Sequence, residues 1–165
     1  QRLTTMPQVV GRLERIGENP TVLRDYAHTP DALERALMAL RPFVRGRIIA
    51  VFGAGGDRDP GKRPLMGAVA ARLADVAIVT SDNPRTEDPE LIIDAIVSAM
   101  PVGRYERIED RREAIARAIS IADSRDDLIL LAGKGHETYQ VRGTKKLPFD
   151  EAEIVTELMT ARSQN

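Results

Sequence analysis

Along the chain, apolar residues fall into short solid runs that alternate with longer stretches of helical spacing. The run GRIIAVFGA, residues 46–54, is almost continuously apolar and ends in glycines, the pattern of a strand covered on both faces. DVAIVTS (75–81) and DDLILLAGKG (126–135) repeat that pattern, and RYERIE (104–109) is a shorter strand candidate. Between these runs the apolar spacing changes to three and four. TPDALERALMAL (29–40) places Leu33, Leu37 and Leu40 on one helical face, with Thr29 as cap and Pro30 in the first turn. PLMGAVAARLA (64–74) is read as a helix presenting Leu65, Val69 and Leu73. PELIIDAIVSAM (89–100) follows the capping pair Asp88–Pro89, and RREAIARAISIA (111–122) and DEAEIVTELMTAR (150–162) read as two more helices. TYQVRGTKKLPFD (138–150) predicts a hairpin turning at Gly143. Strands alternating with crossover helices imply an α/β fold, a mostly parallel sheet with helices on both faces and an antiparallel edge hairpin. The first 25 residues stand outside this rhythm, apart from a strand candidate in PTVLR, and read as the end of another unit preceding a domain of residues 26–165.

Composition narrows this picture only a little. A chain of 165 residues has room for one well-buried core. With 42% hydrophobic and 30% charged residues it is an ordinary globular composition, not a disordered one. A formal net charge of -1 gives no global attraction for nucleic acid or for an anionic membrane, so anion selectivity has to come from local arginines. The absence of cysteine excludes disulfides, thiolate zinc sites and cysteine nucleophiles, and fits a reducing cytoplasm. The chain shows no signal-peptide pattern, and it lacks an initiator methionine, so a fragment of a longer cytoplasmic protein is expected.

In a parallel sheet the loops leaving the C-terminal strand ends open on one edge, where such folds bind ligands. Three polar loops meet that condition: GAGGDRDPGKR, SDNPRTEDP and AGKGHETYQ. The first approaches a phosphate-binding loop but has Arg63 where a magnesium-ligating Ser or Thr belongs, and Arg58 where a dinucleotide fingerprint needs glycine. A structural account in which its glycines permit a tight strand-to-helix turn stands beside any functional one. In the second loop, Asx-turn and capping chemistry accounts for most residues but not for Arg85. A guanidinium beside Asp82 and Asn83 suits a ligand with a carboxylate and an ammonium, the head group of an amino acid. In the third, Glu137 is a second acceptor for an ammonium, while Lys134 is read either as solvated or as functional. His136 and His28 are the only histidines and are not at ligand spacing, so a histidine metal site is rejected. Tyr26 and His28, in RDYAHTPDALE, precede a helix N-terminus where an anion can approach.

Taken in order, GRLER, DYAHTPDALE, GAGGDRDPGKRPLMG, SDNPRTEDP and LLAGKGHETYQ resemble the C-terminal part of a Mur ligase of the diaminopimelate-adding kind. The resemblance covers nearly the whole chain, and DNPR is its most specific motif. It implies a Rossmann-like amino-acid-binding domain, with residues 1–25 as the tail and linker of a preceding central ATPase domain. Such ligases serve peptidoglycan precursor synthesis in the cytoplasm: ATP activates a D-glutamate carboxyl of UDP-MurNAc-L-Ala-D-Glu, and the amine of the incoming amino acid attacks it. The resemblance implies a meso-2,6-diaminopimelate site at Arg58, Asp82, Asn83, Pro84, Arg85, Gly133 and Glu137. It places Arg12, Asp25, Tyr26 and His28 around ATP at domain closure. The phosphate loop and magnesium ligands of the family have no counterpart here. ATP and Mg2+ are therefore assigned to the longer enzyme, none to this domain alone, and the chain alone is expected not to catalyse ligation. A folylpolyglutamate synthase-like domain, adding glutamate instead, and a non-catalytic binding module for an amino acid or nucleotide are the competing readings.

Overall fold

The computed structural model describes residues 11–164. Two strands open it, β1 (Glu14–Gly17) and β2 (Thr21–Asp25), followed by helix α1 (Pro30–Leu40) and a 3-10 turn. Then come β3 (Ile48–Phe52), α2 (Lys62–Leu73), β4 (Val76–Val79), α3 (Pro89–Val97), β5 (Glu106–Arg107), α4 (Arg111–Ile121) and β6 (Leu128–Ala132). The hairpin β7 (Tyr139–Arg142) and β8 (Lys145–Pro148) precedes the closing helix α5 (Glu151–Ser163). Strand order in the main sheet is β1-β2-β6-β3-β4-β5, with β1 antiparallel to β2 and every other pairing parallel.

Solid apolar runs become the central strands because both faces of the sheet are covered. Alternate residues of β3 divide between two cores: Ile48, Ala50 and Phe52 pack under α1, α2 and α3, while Ile49 and Val51 pack under α4 and α5. The caps expected at Thr29 and Asp88 form, and Asp150 caps α5 in the same way. Thr29 Oγ1 accepts from Ala32 N, Asp88 Oδ1 from Glu90 N, and Asp150 Oδ1 from the first turn of α5.

Three expectations change. β1 and β2 belong to the sheet, so the division expected between residues 25 and 26 runs along the end of a sheet strand. Residues 1–10 of that expected tail lie outside the described residues. β2 is the strand candidate seen in PTVLR, while the four half-buried residues of β1 at the sheet margin carry too little pattern to announce themselves. The hairpin turns at Gly143 but forms its own two-stranded sheet, and β1 supplies the antiparallel edge of the large one. In α2 the buried face is Arg63, Met66, Gly67, Val69 and Ala70, and Leu65 is turned outward. The small residues Gly67 and Ala70 let α2 lie close to its neighbours α1 and α3.

Candidate amino-acid site

The loops after β3, β4 and β6 meet at the C-terminal edge of the sheet and enclose a cleft of about 490 Å³. Arg58, Asp82, Asn83, Arg85, Gly133 and Glu137 line it, together with Tyr26 and His28. Pro84 does not line it; its carbonyl sets how closely the first two loops approach. A Cβ on Gly56 would stand 1.8 Å from Pro84 O, and Gly56 N donates to Asn83 O at 2.8 Å, so glycine is required at that crossing.

Arg63, the residue that spoils the phosphate-loop pattern, is buried in this crossing. Its Nη1 and Nη2 donate to Glu87 at 3.0 and 2.8 Å, and Nη2 also reaches Gly55 O at 3.2 Å. The loop thus offers no hydroxyl to a metal-bound phosphate and does not fit that ligand; it is stitched to the DNPR loop instead. The hydrogen bonds from Arg63, with the Asp57 backbone N–H, hold the Glu87 carboxyl below its usual range. A lowered folded-state value means that this stabilisation is present above the ordinary carboxylate range and is lost as pH falls through the folded value. Arg63→Ser is expected to cost about 1–2 kcal/mol at neutral pH, discounted because Glu87 is partly solvated. It is also expected to flatten the acid limb of stability, as read by urea unfolding across pH.

The DNPR loop is the most constrained part of the cleft. Asp82 and Asn83 are buried, and Arg85 is half-buried with its backbone at φ 53°. Arg85 Nη1 donates to Gly56 O at 2.9 Å. Asp82 lines the cleft, and its Oδ1 is buried 3.4 Å from Lys134 Nζ without accepting a hydrogen bond. Arg58 is exposed at the rim, its Nη1 on Asp57 O.

Lys134 is the residue whose place sequence reasoning left open, and it is fully buried. Nζ donates to Asn83 Oδ1 and to Tyr139 O, each at 2.9 Å, and lies 3.7 Å from Glu137 Oε1. Burial pushes its ammonium below the usual lysine value, against the pull of Asp82. Sequence gave one signal for this, two flanking glycines at a strand end. Gly133 N donates to Asp25 O at 2.9 Å, and Asn83 Nδ2 reaches Glu137 Oε1 at 3.4 Å, so the three loops form one hydrogen-bonded unit.

The four residues matched to ATP divide in two. Arg12, Tyr26 and His28 share a surface corner: the Arg12 guanidinium stands 5.2 Å from the Tyr26 ring centre, Tyr26 Oη bonds His136, and His28 Nδ1 is 2.7 Å from Tyr26 O. Asp25 is buried, and its carboxylate accepts from Leu13 N and Ala27 N at 2.8 and 2.9 Å, which makes it a backbone clamp. His136, absent from the sequence-derived set, joins the corner through the tight approach of the Gly135 loop to the Tyr26 ring.

The family model described as "Mur ligase, glutamate ligase domain" matches residues 11–135. The UDP-N-acetylmuramoyl-L-alanyl-D-glutamate--2,6-diaminopimelate ligase of Parasynechococcus marenigrum is 57% identical over 162 residues, covering 93% of this chain and 32% of the relative. A solved structure of a ligase of that name superposes with a TM-score of 0.89 at 41% identity, over 97% of this chain and 33% of the other. A Mycobacterium tuberculosis folylpolyglutamate synthase complexed with ADP gives a TM-score of 0.63 at 26% identity, over 76% and 30%. The chain thus spans about a third of the length of the relatives it matches.

Proposed function

The chain belongs to the Mur ligase family through its glutamate ligase domain, and from that premise we propose that it binds meso-2,6-diaminopimelate for addition to UDP-MurNAc-L-Ala-D-Glu. The observation carrying this reading is the pairing of charges in one cleft: Arg58 and Arg85 with Asp82 and Glu137. Diaminopimelate presents two ammonium and two carboxylate groups, and lysine lacks the distal carboxylate. A site whose guanidinium is left without that carboxylate penalises lysine. Arg85 is assigned to the distal carboxylate with Arg58 beside it, and the Asp82 and Glu137 carboxylates to ammonium groups. Asn83 and Gly133 shape the floor, and Pro84 fixes the loop crossing.

In the longer protein, ATP with Mg2+ would supply an activated acyl phosphate on the D-glutamate carboxyl, from a unit preceding this one. The work of this chain is to hold the amine in line for attack, with Arg12, Tyr26, His28 and the Asp25-clamped strand end facing the nucleotide when the units close. The reaction is assigned to the cytoplasm and to peptidoglycan precursor synthesis. Among the described residues, no helix is long and apolar enough to cross a membrane.

Titration of the isotope-labelled chain, followed by NMR, tests the reading. Meso-diaminopimelate is expected to shift the amides of 82–85 and 133–137 at concentrations about tenfold or more below those needed with L-lysine or L-glutamate. Arg85→Leu is expected to bring diaminopimelate down to the lysine level. Equal response to lysine would remove the assignment of DNPR, and preference for glutamate would favour the folylpolyglutamate-type reading.

A further inference from the structure

Arg85 has a left-handed backbone that a side chain bearing Cβ adopts only when its surroundings impose it. Those surroundings are the edge of β7. Arg85 N donates to Val141 O at 3.0 Å, and Gly143 N donates to Arg85 O at 2.6 Å. The same strand also reaches Asp82 and Asn83 of the DNPR loop: Val141 N donates to Asn83 Oδ1 at 2.9 Å, and Gln140 Nε2 to Asp82 O at 2.8 Å. Gly143 itself turns at φ 63°, with no atom within 4 Å of the place its Cβ would occupy. The hairpin is therefore docked on the DNPR loop through a bridge between Arg85 and Arg142, and it lies outside the main sheet because its edge is occupied there.

We propose that this strand edge, residues 140–143, is the positioning element that sets amino-acid selection, with Gln140 and Gly143 as its decisive residues. The inference deepens the reading of the cleft as a diaminopimelate site and rests on it. A guanidinium on a free loop samples many rotamers and pays to order them on each binding event. One whose backbone is fixed at both its N–H and its carbonyl, and whose Nη1 is tied to Gly56 O, is ordered beforehand. Ordering the cation favours the ligand that has a carboxylate for it and does nothing for lysine. Selection would then reside partly in residues that line no part of the cleft.

Gly143→Pro removes the N–H bonded to Arg85 and forbids the turn's backbone angle; Gln140→Leu removes the donor to Asp82 O, and with it the acceptor of Arg142 Nε, at similar side-chain volume. Gly143→Ala keeps the N–H and finds open space for its Cβ, though that Cβ strains a backbone held at φ 63°. NMR titration of each chain with meso-diaminopimelate and L-lysine is read beside amide hydrogen exchange at Arg85. The first two variants are expected to lose about tenfold in diaminopimelate affinity with lysine changed less than about twofold, and to exchange faster at Arg85. Gly143→Ala is expected to keep the preference. Retained preference in Gly143→Pro and Gln140→Leu, or equal loss for both ligands, overturns the inference. If Gly143→Pro does not fold, Gln140→Leu decides. A wild-type chain without preference overturns the underlying reading, and is seen before any variant is made.

Discussion

Replacing Arg111 by leucine is expected to cost about 3–5 kcal/mol, the penalty of stranding one partner of a fully buried ion pair. Arg111 and Glu151 are both completely shielded, with Nε 2.9 Å from Glu151 Oε2. The position looks wrong for a cation, at the first residue of α4, where the helix dipole opposes it. Its reach explains the choice. Nη1 donates to Ser81 O at 3.2 Å and Nη2 to Ala132 O at 3.0 Å, satisfying carbonyls at the C-terminal ends of β4 and β6 after the ladders stop. One side chain thus joins two strand ends to the starts of α4 and α5. Glu151 Oε1 has no hydrogen-bond partner even with Arg111 present, so removing the arginine leaves a buried carboxylate with little to hold it. Thermal unfolding should shift down by roughly 10 °C for a domain of this size. Adding Glu151→Leu is expected to recover a large part of the loss, because a buried pair exchanged for apolar side chains is often nearly neutral. A single variant within about 0.5 kcal/mol of wild type would show that the pair is not buried as described.

Neither Arg111 nor Lys134 could be read from the chain, and the reason is physical. Charged residues are solvated by default, and what reverses the default is a partner that sequence spacing does not reveal. Arg111 and Glu151 are 40 residues apart, and Lys134 and Asn83 are 51 apart. The parts that were legible rest on local rules. Continuous apolar runs gave β3, β4 and β6, since a strand covered on both faces needs no polar alternation. Thr29 and Asp88 announced helix starts because capping is settled within three residues. The site loops followed from topology: parallel strands deliver their C-terminal ends to one edge whatever the loop sequence. Arg85 was legible as a residue with no structural excuse. Its left-handed backbone and its dependence on β7 were not, because a loop docking on a hairpin more than 50 residues away leaves no periodic trace. Asp25 shows the converse: a match at the level of motif met a carboxylate already committed to Leu13 N and Ala27 N.

The second large effect is expected at Lys134, where methionine keeps the length of the side chain and removes its charge. Asn83 Oδ1 and Tyr139 O each lose a donor at 2.9 Å, and Asp82 loses the cation 3.4 Å from its Oδ1. Tyr139 O is stranded, Asn83 Oδ1 keeps only the Val141 N donor, and a buried carboxylate loses its cation; together these predict a loss of about 2–4 kcal/mol at neutral pH, since Asp82 borders the cleft and water partly replaces the ammonium. The pH dependence separates this ion from an incidental contact. Burial lowers the folded-state value below the ordinary 10.5, with the Arg111 charge acting in the same direction and Asp82, Glu137 and Glu151 opposing it. Between the lowered value and 10.5 the unfolded chain binds the proton that the folded chain has released, so wild-type stability rises with pH across that interval. Lys134→Met has no such proton, and its deficit relative to wild type is expected to widen as pH approaches 10.5. Urea unfolding of both chains from neutral to alkaline pH measures this, and a deficit that stays constant or narrows would contradict the buried ammonium. Because Arg111 lies among the charges that act on Lys134, the two substitutions should not be additive. Removing Arg111 takes away a repelling cation, so in Arg111→Leu the alkaline gain owed to Lys134 should shrink.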